Sequence, residues 1–303
     1  MPTHTHKKTK KNRKTRKKNS KKLKKVQCSP KTKKKQLPFT CYTSSALHKL
    51  KQVWNARHPD DKIHSNTPRD IWTKLKQKMA STCNTEACWL RHQCIKHDID
   101  QSLWETTFAP AAPEEWVKKP NDWLSTTDIQ KVMKQWENSY TCFEFLGPSP
   151  IDYDKQQLFG ECVWEELCKF SLKDCKKRNK YKIGIIFNLD IHTKPGSHWV
   201  AMYIDLRKHI IYYFDSYGDS IPRRIRKFAT KVKEQGKAFG EKYTLIISKK
   251  RHQYGESECG MYCLYFIIQM LLDKRFSNFQ KKKIPDKRML TLRKKYFNSP
   301  KHT

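Results

Sequence analysis

The sequence predicts an α+β fold, a central mixed sheet flanked by helices, preceded by a helical domain and a disordered basic tail. Three observations carry this prediction. Residues 198–215 form two runs rich in Val, Ile, Tyr, Trp and Phe around a polar break, Leu206-Arg207-Lys208, as in a half-buried hairpin. Residues 182–189 (Lys-Ile-Gly-Ile-Ile-Phe-Asn-Leu) read as a central strand just before it. Residues 261–272 are apolar almost all round, so they predict a buried helix, and their 12 residues fall short of the roughly 20 that cross a bilayer.

Taken from its start, the chain of 303 residues has room for two domains, and 37% hydrophobic residues are enough for a core. The net charge of +35 is unevenly spread, since residues 1–35 hold 17 Lys or Arg and no acid. Such a segment repels itself and has no apolar core to bury, so it is expected to be a disordered tail. It lacks the apolar stretch of a secretory signal, and its charge suits non-specific contact with nucleic acid.

Residues 36–115 read as an N-terminal helical domain. Apolar residues recur at helical spacing over 44–57 (Leu47, Leu50, Val53, Trp54) and 68–79 (Ile71, Trp72, Leu75, Met79), and a third helix is expected over 85–95. Cys83, Cys88, His92, Cys94 and His97 are irregularly spaced and do not match a paired metal framework, so no metal site is expected there. Eleven cysteines, an odd number without a secretion signal, predict free thiols in a reducing compartment. Pro110-Ala111-Ala112-Pro113 marks a boundary.

Residues 116–275 are expected to be the main folded domain, where the candidate functional residues sit, with helices over 128–136, 153–170 and 221–239 and a further strand over 243–248. Residues 276–303, basic and mostly polar, are expected to be a C-terminal tail.

The hairpin brings two functional groups together. If Arg207-Lys208 is a two-residue loop, Leu206 faces His209 and Val200 faces Asp215. His198 and Asp215 then share one face as diagonal neighbours, roughly 7–8 Å apart at the backbone and within side-chain reach. A slip of one residue would turn Asp215 to the other face. Asp205 and Asp190 are rival acids, one at the hairpin turn and one on the loop before His198.

Cys259 precedes the apolar helix. Unpaired N–H groups and the helix dipole there favour an anion, the thiolate that attacks a carbonyl. Gly260 beside it leaves room for a substrate backbone. Gln253, six residues upstream, can donate its side-chain N–H to an oxyanion together with the Cys259 backbone N–H. The rival thiol, Cys263, lies one turn inside the apolar helix, where a thiolate is disfavoured. His198 as base, Asp215 as its orienting partner, Cys259 as nucleophile and Gln253 as oxyanion donor make a cysteine peptidase. The chemistry requires no metal or organic cofactor.

The set His198-Trp199, Asp215, Gln253 and Cys259-Gly260, in that chain order, resembles the superfamily of SUMO-specific proteases and the adenovirus maturation protease. The resemblance implies a papain-like, adenain-like peptidase core and covers roughly residues 120–275. Trp123-Leu124-Ser125-Thr126 is similar to the Trp-Leu-Asn-Asp segment that opens the SUMO protease domain, departing at its two polar positions. The N-terminal region and basic arm look most like the proteases of large cytoplasmic DNA viruses. The resemblance implies an endopeptidase that cuts viral structural precursors after Gly-Gly or similar small residues during virion maturation, in virion and host cytoplasm. The alternatives are processing or deconjugation of a SUMO-like modifier, and a basic packaging protein with a relict fold, which the intact residue set counts against. Trp123 and Trp199 are candidate substrate walls, or else core. No membrane partner is expected.

Overall fold

The computed structural model describes residues 23–32, 35–92 and 101–299. Its frame is a mixed sheet of β1 (Phe143–Phe145), β2 (Ser149–Pro150), β3 (Lys182–Asn188), β4 (Trp199–Asp205), β5 (Ile210–Phe214) and β6 (Thr244–Ile247). The strand order is β1-β3-β4-β5-β6, and β2 extends β1 along the outer edge of β3. β3, β4 and β5 are antiparallel neighbours, whereas β1, β2 and β6 join parallel.

Every residue of β4 is buried because both faces of the sheet are covered, so the strand reads as a continuous apolar run without alternation. One face carries Trp199, Ala201, Tyr203 and Phe214 and packs on α5 (Thr126–Ser139) and α9 (Cys259–Leu271). The other carries Val200, Met202, Ile204 and Tyr213 against α7 (Leu172–Lys177) and α8 (Arg223–Lys237). α8 is basic outside and turns Ile225, Phe228 and Val232 inward. α9 approaches the sheet where β3 has Gly184: a side chain there would come within 3.0 Å of Ile267 and 2.9 Å of the Phe143 ring.

The hairpin has the expected register. Ala201 pairs with Phe214 and Asp205 with Ile210, which puts Val200 opposite Asp215. Arg-Lys is a poor tight turn by itself, and Asp205 compensates by accepting the N–H groups of Arg207 and Lys208, each at 3.1 Å.

The N-terminal helices α1 (Ser44–Arg57), α2 (Pro68–Lys78), α3 (Glu86–Arg91) and α4 (Gln101–Thr107) surround a separate core that includes Tyr42, Leu47, Leu50, Ile71, Leu75 and Trp89. Thr43, Thr67 and Thr85 cap the first three through their hydroxyls. α3 stops at Arg91, short of the expected helix over 85–95, whose last residues lie outside the described ones.

Four expectations are corrected. Residues 153–170 are no single helix: Phe159 and Gly160 adopt left-handed φ of 74° and 78°, Gln156 bridges Cys162, and only α6 (Glu165–Cys168) is α-helical. The polar stretch around Gly160 breaks the apolar spacing that Tyr153, Leu167 and Phe170 suggest. Residues 276–303 are no tail through Phe297. α10 (Ser277–Lys281) and α11 (Asp286–Tyr296) bury Phe276, Phe279, Met289, Leu292 and Phe297 in the α9 core, an apolar face masked by the many lysines between them. The end of the predicted basic arm is also fixed: Val26 is buried, and Gln27 and Asn298 bond to each other through backbone and side chain at 2.6 and 3.0 Å. Residues 1–22, with most of the arm's charge, lie outside the described residues.

The fourth correction concerns the thiols. Cys28–Cys41, Cys83–Cys88 and Cys162–Cys168 are disulfides, while Cys142, Cys175, Cys259 and Cys263 are free among the described residues. Each pair is close in sequence, and local folding brings its members together, which a count of cysteines does not reveal. Cys83 and Cys88 therefore occupy each other. Cys94 and His97 lie outside the described residues. Among the described residues no helix is long and apolar enough to cross a membrane.

Candidate active site

β4 and β5 position the expected base and acid. His198 directly precedes β4, and Asp215 directly follows β5. The His198 Nε2 lies 2.8 Å from Asp215 Oδ1, both residues being buried. The same Asp215 oxygen accepts the Tyr217 backbone N–H at 2.9 Å. With Nε2 committed to the acid, Nδ1 is the ring nitrogen left over, and Cys259 is the other group that acts on the imidazole. Burial lowers the imidazole pKa, but the hydrogen bonds to Asp215 and Cys259 outweigh it and bring the group up to about 9.

Cys259 is the first residue of α9 and 1% exposed. Cys263, one turn further, is fully buried. Burial first, then the charges of Cys259 and Asp215, push its thiol far above the usual range. At Gly260 a Cβ would stand 3.0 Å from Leu124 Cβ, so the glycine leaves room for Leu124.

Gln253 is fully buried on the incoming loop. Its Oε1 accepts the Ser216 hydroxyl at 2.7 Å, which turns the amide nitrogen the other way. Nε2 donates to the Gly255 carbonyl at 2.7 Å, and its second hydrogen meets only a 3.4 Å contact to the Tyr217 hydroxyl. Of the rival acids, Asp205 is committed to the hairpin turn, and Asp190 sits on the 189–197 loop.

The two tryptophans separate. Trp199 is 5% exposed and its indole N–H donates to the Leu124 carbonyl at 3.1 Å, so it belongs to the core as well as the groove floor. Trp123 is 41% exposed. Both line a groove of about 490 Å³ together with Trp116, Leu124, Asn188 and Gly196. Sequence reasoning missed Tyr217, whose ring stacks on His198, and Ser216, which orients Gln253. Their signal was position, since both directly follow the acid. It also missed Arg293, which reaches the residue before Cys259 from α11.

Comparisons with known proteins bear on the family and the fold. The model of the Ulp1 protease family, C-terminal catalytic domain, matches residues 120–302. A candidate thiol protease of Acanthamoeba polyphaga mimivirus is 31% identical over 230 residues, 75% of this chain and 73% of that protein. A cysteine protease of African swine fever virus is 27% identical over 78% of this chain and 91% of that one. The crystal structure of the African swine fever virus protease superposes over 90% of this chain and 96% of that chain with a TM-score of 0.66 at 21% identity, a likeness of fold. The chain belongs to the Ulp1 protease family and is a cysteine-type peptidase.

Proposed function

We propose that this peptidase is an endopeptidase that cuts viral structural precursor proteins after Gly-Gly or similar small residues during virion maturation, acting in the infected cell and the virion. The observation that carries the catalytic part is the His198 ring, bonded to Asp215 at 2.8 Å, with the Cys259 thiol at the start of a buried helix acting on the same imidazole. The viral relatives support the setting.

In this reading the Cys259 proton resides on His198 Nδ1, and Asp215 stabilises the imidazolium. The thiolate sulfur attacks the carbonyl carbon, and the oxyanion takes a hydrogen bond from the second Gln253 Nε2 hydrogen and from the Cys259 backbone N–H. Collapse breaks the C–N bond as His198 gives its proton to the leaving amine. His198 then takes a proton from water, whose oxygen attacks the thioester and releases the acid. Trp123 walls the approach, and the small residues suit a groove flanked by indoles.

A second reading, processing of a ubiquitin-like modifier, is favoured by the family match itself. The test incubates the protein with a viral structural polyprotein, with Gly-Gly-X peptides and with a SUMO conjugate. Cleavage of the polyprotein and peptides alone supports maturation, while faster cleavage of the conjugate overturns it. Cys259→Ser must abolish every activity, whereas Cys263→Ser must retain most; the reverse result sinks the assignment of the nucleophile.

A further inference from the structure

The C-terminal helix grips the nucleophile loop at both ends. At its start, Asp286 Oδ2 accepts the backbone N–H groups of Tyr254 and Gly255 at 3.1 Å each, and Oδ1 accepts the Tyr262 hydroxyl at 2.8 Å. Two turns on, Arg293 Nε donates to both oxygens of Glu258 at 3.1 and 3.0 Å, and a further guanidinium nitrogen reaches the Ser257 carbonyl at 3.4 Å. Both side chains of this pair are 4% exposed. The Arg293 guanidinium also stands 4.3 Å over the ring of Trp116, which lines the groove with Trp123.

A buried ion pair is a poor source of net stability, because desolvation offsets the attraction. Its place in the chain gives it another use. Glu258 is the residue before Cys259, so an unpaired carboxylate there would oppose a thiolate next door. Burial holds the Glu258 carboxyl above its ordinary range, Arg293 offsets only part of this, and the charge of Asp286 adds to it.

We propose that Arg293 and Asp286 are positioning residues for the reaction: Asp286 fixes the loop that carries Gln253 and Gly255, and Arg293 holds Glu258 while cancelling its charge beside Cys259. The inference rests on the reading of Cys259 as nucleophile. The other groups about Cys259 are His198 with Asp215 from the strand side, Tyr217 above the imidazole, and Cys263 one turn along. Arg251 stands 5.3 Å from the Tyr217 ring centroid, and its charge and that of Glu256 act on Tyr217.

The experiment follows alkylation of Cys259 by iodoacetamide against pH in the full-length protein, read by mass spectrometry, with kcat and KM on a Gly-Gly-X peptide. Arg293→Met leaves Glu258 without its cation, so the alkylation midpoint moves up by about one pH unit. Glu258→Gln leaves the cation without its acid, and the midpoint moves down by a similar amount. The double variant returns it to the wild-type position. Asp286→Ala lowers kcat roughly ten- to a hundredfold through a displaced loop, with KM nearly unchanged. A midpoint that stays put in Glu258→Gln overturns the charge role, even if Arg293→Met fails to fold. Asp286→Ala with unchanged kcat overturns the loop role. If Cys259→Ser retains activity, the underlying reading of the nucleophile has failed instead, and the two failures are told apart.

Discussion

The phenol ring of Tyr217 lies flat on the imidazole of His198, with centroids 4.6 Å apart and planes 16° apart. Its backbone N–H shares the Asp215 oxygen that bonds the same imidazole, so one residue fixes both the ring's plane and its partner. Stacking of this kind contributes about 1 kcal/mol, roughly a fivefold effect on a rate that depends on the ring's orientation. Tyr217→Phe keeps the ring and should keep most of kcat. Tyr217→Leu should lose about fivefold in kcat with little change in thermal stability, measured by peptide hydrolysis and melting. Equal activity in both variants would show that the stack does not orient the base.

The raised His198 pKa sets a pH dependence. The group ordinarily titrates near 6.5 and here at about 9, so the folded state binds this proton more tightly than the unfolded chain. The stabilisation is fully present below about 6.5 and is lost as pH rises through about 9. The alkaline limb of kcat/KM is therefore expected near 9. Asp215→Asn removes the anion that supports the imidazolium while burial still lowers the group, so the limb should move to lower pH by roughly one to two units. An alkaline limb that does not move in this variant would detach Asp215 from the base.

Much of this site was legible because short-range rules set it. The His198–Asp215 pair follows from hairpin register alone, and Cys259 at a helix start follows from the apolar run behind it. Several misreadings share one cause, which is long-range packing. Phe276, Phe279 and Leu292 are scattered among lysines, and only the surface of α9 that they cover shows why they are there. Arg293 acts on Glu258 across 35 positions, and nothing local to either residue announces the other. The polar loop around Gly160 escaped for the opposite reason: its neighbours have helical spacing, while its own backbone is left-handed.

Gly260 offers a test of packing against substrate access. Alanine is the better helix former by about 1 kcal/mol, yet its Cβ would press on Leu124 at 3.0 to 3.3 Å. Overpacking of this kind costs about 1–3 kcal/mol, so Gly260→Ala should be destabilised on balance. Gly260→Ala combined with Leu124→Ala should be less destabilised than the sum of the two by about 1 kcal/mol, measured by denaturant unfolding. A Gly260→Ala protein of normal stability with a raised KM would restore the idea that the glycine makes room for substrate.

Trp123 and Trp199 should respond in opposite ways to truncation, and the contrast decides whether the groove sets specificity. Trp199 lies in the sheet core and bonds Leu124 through its indole, so Trp199→Ala should lose about 3–5 kcal/mol of stability, with activity falling as the protein unfolds. Trp123 is 41% exposed, and its neighbour Leu124 takes the buried position against Gly260. Trp123→Ala should therefore melt close to wild type. If the exposed indole walls the approach to Cys259, a side chain larger than Ala beside the scissile bond clashes with it, while Gly-Gly lies flat against the ring. The variant should then turn over Gly-Gly-X peptides more slowly and gain relative activity on peptides with Ala at those positions. Steady-state kinetics on paired Gly-Gly-X and Ala-Gly-X peptides, set beside melting curves of both variants, checks this. A Trp123→Ala protein that melts normally and keeps its full preference for Gly-Gly would remove the indole from any account of specificity.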